Sequence, residues 1–145
     1  MLDKYIDEFR SFNRFYTAYL GVLNKHYMNS KYSLPQQRVL QAVYRQDGIT
    51  STEITTQLNM DKSYLSRILI DFEKKKLLTK KASAEDGRVM NLYLTKTGRK
   101  EYAAIDEASD HQAEQLLLQL TEDERKAVIR SMAQIQKTLS RYKLG

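Results

Sequence analysis

The chain has 145 residues, the length of one ordinary domain. Its 41% hydrophobic and 29% charged residues argue for a packed core, against both a disordered tail and a membrane protein. It has no cysteine, which excludes disulfides, thiolate zinc sites and cysteine nucleophiles, and its two histidines fall short of the roughly three protein ligands of a catalytic zinc. We therefore expect no metal, no cofactor and no enzymatic activity. The opening MLDKYIDEFR lacks the apolar run of a signal peptide, so the expected location is the cytoplasm, with no membrane partner.

Apolar residues recur with a helical period at Leu2, Tyr5, Ile6, Phe9, Phe12, Phe15, Tyr16, Tyr19, Leu20 and Leu23, predicting one long first helix to about Met28. Ser33 followed by Leu34-Pro35 caps a second helix that turns Val39, Leu40, Val43 and Tyr44 inward and ends near Asp47-Gly48, the glycine as a left-handed cap. Thr50-Ser51-Thr52-Glu53 reads as a capping box opening a short third helix to about Leu58. The turn Asn59-Met60-Asp61 leads into a fourth helix, capped by Asp61, with Leu65, Ile68, Leu69 and Phe72 inward. Two short helices joined this tightly are a helix-turn-helix signal. Residues 77–82 and 88–94 then pair as two strands around the polar turn 83–87, the second alternating Met90, Leu92 and Leu94 against Val89, Asn91 and Tyr93, a two-stranded wing. Thr95 caps a helix running to about Leu120, and the capping box Thr121 to Glu124 opens a last one with Val128, Met132, Ile135, Leu139 and Tyr142 on one stripe.

Charge is unevenly distributed. Residues 61–100 carry eleven Lys and Arg against five Asp and Glu, whereas residues 101–124 carry none against eight. The basic middle is where a polyanion would bind. Lys74, Lys75 and Lys76 by themselves read equally as a solvated helix end that favours the macrodipole. The fourth helix is more telling, because its first two turns leave Lys62, Ser63, Tyr64, Ser66 and Arg67 outward. Donors of that kind at a helix N-terminus suit the acceptor-rich edges of bases in a major groove. Thr50, Ser51 and Thr52 offer hydroxyls and amides to a phosphate, with capping as the alternative role for Thr50. Arg88 at the end of the hairpin turn can reach a narrow minor groove, with Asp86 two residues away to hold it extended.

Residues 33–99 resemble the winged helix-turn-helix core of the MarR family of bacterial transcription regulators. The resemblance rests on Leu34-Pro35-Gln36-Gln37-Arg38-Val39-Leu40, on Asp61-Lys62-Ser63-Tyr64-Leu65-Ser66-Arg67-Ile68-Leu69, on Glu85-Asp86-Gly87-Arg88 and on Leu94-Thr95-Lys96-Thr97-Gly98-Arg99. It implies a mainly α fold, a single domain over 1–145, in which 33–100 is the DNA-binding lobe and 1–32 and 101–145 are dimerisation helices. It also implies a homodimeric repressor on a palindromic double-stranded operator, with Lys62, Ser63, Tyr64, Ser66 and Arg67 as recognition-helix contacts, Arg88 in the wing and Asp86 as its orienter; Lys75, a surface lysine of the basic block, is expected to add affinity for any duplex. Gly87 departs from the family pattern and suggests a more flexible wing tip. The stripe around Tyr64 also resembles the regulator half of acetyltransferase fusions, so the alternatives are a stand-alone regulator half of that kind and a winged-helix protein-interaction module. Family members often bind aromatic anions near the dimer region, and Tyr16, Tyr19, His26, Tyr44 and Arg45 are the corresponding candidates for a small-molecule effector. Aromatic residues at helical spacing are more often core.

Overall fold

A computed structural model of the protein describes residues 1–25 and 30–142. The elements, in chain order, are α1 (Asp3–Lys25), α2 (Leu34–Arg45), β1 (Ile49–Thr50), α3 (Ser51–Leu58), α4 (Lys62–Lys74), β2 (Leu78–Ala82), β3 (Met90–Leu94), α5 (Lys96–Leu117) and α6 (Glu122–Leu139). The predicted end of the first helix, with His26, lies outside the described residues. The chain divides into two units, residues 1–105 and 106–145.

The core belongs to the first unit. It gathers Val39, Leu40 and Val43 of α2, Ile54 of α3, Leu65, Ile68, Leu69 and Phe72 of α4, and Leu78, Leu92 and Leu94 of the sheet. Tyr32 meets the Phe72 ring edge-on at 6.1 Å and closes one side. Among the described residues none of α1 belongs to this core. The result is a mainly helical winged helix-turn-helix, as the periodicity predicts.

Local chemistry starts and stops the helices. Ser33 and Gln36 form a reciprocal capping box at α2, and Thr121 and Glu124 form another at α6. Asp61 takes the Tyr64 amide at 3.0 Å and caps α4. Between α3 and α4, Asn59 adopts φ 48°, ψ 49°, a left-handed cap that an asparagine tolerates.

Several expectations are corrected. The sheet has three strands, in the order β1-β3-β2, because Ile49 and Thr50 pair with Leu92 and Asn91. Since Thr50 is held in that pairing, the capping box at α3 is only half made. Thr50 Oγ1 accepts the Glu53 amide at 3.2 Å, but the Glu53 carboxylate accepts from the Gln46 side-chain amide at 2.8 Å instead of reaching back to the Thr50 amide. Helix α2 ends on an extended Gln46, not on a glycine cap. Gly48 is left-handed, with φ 85°, but it serves β1: its N–H donates to Leu92 O and its carbonyl accepts from Asn91 Nδ2. Tyr44 does not point inward; it is 45% exposed, its ring 4.5 Å from that of Tyr102 at the rim of the core. Strand β3 starts at Met90, because the Arg88 amide donates to Asp86 Oδ1 and the Val89 amide to Asp86 O, a turn replacing the ladder.

Thr95 ties the lobe together. Its amide donates to Leu77 O and its hydroxyl to Lys76 O, while the same hydroxyl accepts the Gly98 amide and so caps α5. In the second unit α5 continues to Leu117, three residues short of the predicted end, and α6 buries none of its residues.

Candidate nucleic-acid interface

Helix α4 presents two chemically opposite sides. Leu65, Ile68, Leu69 and Phe72 are buried, and Lys62, Ser63, Tyr64, Ser66 and Arg67 are all exposed. The expected contact residues are therefore brought together on one solvent-facing surface. Among the described residues neither Lys62 nor Arg67 has a carboxylate partner. The Arg67 guanidinium instead lies 5.9 Å from the centroid of the Tyr64 ring, one turn back on the same helix. An aromatic face orients an arginine without neutralising it, so its charge and its fork of donors stay available.

Lys75 differs. As the C-cap residue its Nζ sits 3.0 Å from Asp71 Oδ2 and 5.9 Å from the centroid of the Tyr32 ring, so much of its charge is already answered. Burial pushes the Tyr32 phenol above its usual pKa, and Glu101 adds to this electrostatically. Lys80 is likewise paired, 3.6 Å from Glu73.

Thr50 is occupied by its own helix: besides accepting the Glu53 amide, its hydroxyl donates to Glu53 Oε1 at 3.1 Å. Those bonds, with the one from Gln46 foremost, hold the Glu53 carboxyl below its usual pKa. Ser51 and Thr52 remain exposed in the first turn of α3, where a phosphate oxygen would meet helix amides.

The wing carries Arg88 at its tip. Its side chain is 93% exposed, with Nε 3.4 Å from Asp86 Oδ1. Around Gly87 the Ser83 hydroxyl accepts the amides of Glu85 and Asp86, and Asp86 accepts that of Arg88. Along the strands Lys81 Nζ stands 5.3 Å from the centroid of the Tyr93 ring, a further cation on the wing that sequence alone did not single out. Also missed was Ile70, 47% exposed on α4; its signal is an apolar residue three positions after Arg67, where the inward set has no place for it.

The effector candidates fall into separate places. Tyr16 and Tyr19 stack on each other along α1 at 6.2 Å, whereas Tyr44 packs on Tyr102 beneath the Arg99 guanidinium. Arg45 is exposed, and His26 lies outside the described residues. Among the described residues no ring contact joins the α1 tyrosines to Tyr44. A cavity of about 670 Å³ lies in the second unit, lined by Glu107, His111, Leu117 and Arg125 among others, and includes none of these candidates. Among the described residues no three His, Cys, Asp or Glu are grouped to hold a metal, and no helix is long and apolar enough to cross a membrane.

A tight two-helix unit with an exposed, basic second helix, backed by a β-hairpin, defines a winged helix-turn-helix protein. Residues 31–89, which run from the approach to α2 through the wing tip, match the MarR family model. Over those residues the chain is similar to the MarR family. Its fold is shared with Streptococcus pneumoniae FabT, whose crystal structure is in complex with DNA: TM-score 0.80, 17% identity, 93% of this chain and 99% of that one covered. An S. aureus MepR mutant bound to an oligodeoxyribonucleotide is 27% identical, with TM-score 0.55 over 85% of this chain and 97% of that one. The Bacillus subtilis HTH-type transcriptional regulator YdgJ is 22% identical over 102 residues, 70% of this chain. The match spans 62% of the length of YdgJ.

Proposed function

We propose that the protein is a sequence-specific double-stranded DNA-binding transcriptional regulator, a repressor that acts as a homodimer on a palindromic operator. The observation that carries this reading is the exposed face of α4, with two cations that no carboxylate among the described residues neutralises, set among hydroxyls and opposite the core. The DNA-bound states of the FabT and MepR structures support it. Lys62, Ser63, Tyr64, Ser66 and Arg67 take base edges and the phosphates beside them. Ser51, Thr52 and Lys75 hold backbone, and Arg88, extended by Asp86, enters the minor groove next to them. Thr50 contributes by fixing α3.

In this reading residues 33–100 are the DNA-binding lobe, and the flanking segments 1–32 and 101–145 form the dimer. An aromatic or anionic effector would act by favouring one spacing of the two α4 helices over another, since equal affinity for both shifts nothing. The test is selection of duplexes from a random pool by the purified full chain, followed by titration of the selected sequence and a scrambled one across a range of salt. A palindrome with half-sites about 34 to 36 Å apart is the expected result. Equal binding to selected and scrambled duplexes at every salt concentration overturns the proposal.

A further inference from the structure

Ile70 is the point on α4 that the reading so far leaves unexplained. At 3.6 residues per turn, Ser63, Ser66, Arg67 and Ile70 fall within about 100° of one another, while the buried Leu65, Ile68, Leu69 and Phe72 occupy the opposite side. An isolated exposed apolar residue ordinarily needs no explanation. This one sits at the centre of the outward face, 47% exposed, between Arg67 one turn before it and Lys74 one turn after it. Nothing local favours it there: a β-branched residue is a poorer helix former than the alanine, lysine or glutamate that usually occupy such positions.

The geometry points to Ile70 as a specificity-determining residue that contacts the C5 methyl group of a thymine in the major groove. This rests on the DNA-binding reading above. The thymine methyl is the one apolar feature that a base edge offers in that groove, and apolar side chains are its natural partners. Ile70 lies three residues beyond Arg67, roughly 4.5 Å along the helix axis. Base pairs are spaced about 3.4 Å apart. The thymine therefore lies one or two base pairs from the guanine whose O6 and N7 suit the Arg67 fork. The pair divides the work: Arg67 selects by donors and charge, Ile70 by removing a methyl group from water.

The experiment starts from the selected operator and replaces each thymine of a half-site, one at a time, by deoxyuridine, which deletes only the methyl group. Dissociation constants are measured for the wild-type chain and for Ile70→Ala. The side chain is exposed, so the variant keeps its fold, which a thermal melt checks. We expect one thymine per half-site, within two base pairs of the position whose preference Arg67→Ala abolishes, at which the swap weakens wild-type binding about fourfold. Ile70→Ala should bind the thymine and deoxyuridine duplexes equally, with its salt dependence and its affinity for scrambled DNA unchanged, because no charge is lost. A wild-type chain that selects an operator but responds to no swap, or a variant that responds as strongly as the wild type, overturns this inference and leaves the DNA-binding reading standing. Failure to select any sequence overturns both, and it is seen before any base is replaced.

Discussion

Arg67 and Lys75 are both cations of the helix-turn-helix, yet their surroundings assign them different weights. Arg67 faces solvent with the Tyr64 ring beside it, while Lys75 is held by Asp71 at 3.0 Å. A bidentate arginine on guanine is worth about 1 to 3 kcal/mol of discrimination. Arg67→Ala should therefore bring operator affinity close to that for scrambled DNA in a competition titration. Lys75→Ala should weaken all duplexes alike and by less than Lys62→Ala, because a phosphate must compete with Asp71 for the lysine. Tyr64 acts through Arg67: a cation–π contact at an exposed site is worth about 0.5 to 1 kcal/mol. Tyr64→Phe, which keeps a ring, should retain discrimination at the base pair that Arg67 reads, whereas Tyr64→Leu should lose severalfold there. Mapping by single base-pair substitution distinguishes that pattern from a general loss of fold. At the wing tip Gly87 is not left-handed and a Cβ there meets nothing within 4 Å. Gly87→Ala should thus stabilise the protein by about 0.4 to 1 kcal/mol through the unfolded state, without lowering operator affinity.

The elements that present these side chains are fixed at their ends. Asp61 caps α4 but also places a carboxylate at the N-terminal end of the helix proposed above to approach DNA. Replacing such a cap by alanine costs about 0.5 to 2 kcal/mol. Asp61→Asn should keep the cap, hold the melting temperature and tighten binding to all duplexes, whereas Asp61→Ala should lower the melting temperature and loosen the readout. Gly98 marks the tightest junction. A Cβ there would come within 2.0 Å of Leu77 O, an oxygen already committed to the Thr95 amide, so that neither backbone can retreat cheaply. Gly98→Ala should cost about 1 to 3 kcal/mol or more, as overpacking does, and calorimetry would read it directly. What was legible in the sequence follows the same logic. The boxes Ser33–Gln36 and Thr121–Glu124, the Asp61 cap and the inward set of α4 were readable because each is decided within a few residues. Strand β1 was not, since two residues carry no alternation and its partners are Asn91 and Leu92, some forty positions on. Glu53 turned to Gln46 rather than completing its own box because strand pairing already engaged Thr50. Tyr44 shares the stripe of Leu40 and Val43, but it sits where the core ends, and only the arrival of Tyr102 from α5 fixes its place. The exposed polar face of α4 was legible in the sequence, but the carboxylates that pair with Lys75 and Lys80 were not.

At the scale of the whole molecule the unanswered surface is apolar. Helix α1 exposes Tyr5, Ile6, Phe9, Phe12, Phe15 and Val22, and α6 exposes Val128, Ile129, Met132, Ile135 and Leu139. Exposed apolar patches beyond a few hundred Å² mark interaction sites, and in the homodimer proposed above a second copy of the chain would cover the α1 stripe. A double substitution Phe9→Asp and Phe12→Asp puts charges into that surface while touching no core residue. The wild-type chain should sediment as a dimer of 17.0 kDa subunits and the variant as a monomer, with the melting of the lobe retained. The consequence for DNA is quantitative. The slope of log K against log salt scales with the number of phosphates neutralised, at about −0.9 for each. A dimer engages two half-sites at once, so the slope for the palindrome should fall to about half in the monomeric variant, while binding to an isolated half-site should not change. A wild-type chain that is already monomeric, or a variant that keeps the full slope, would show that the two copies of α4 do not act together and that the apolar stripes serve some other contact.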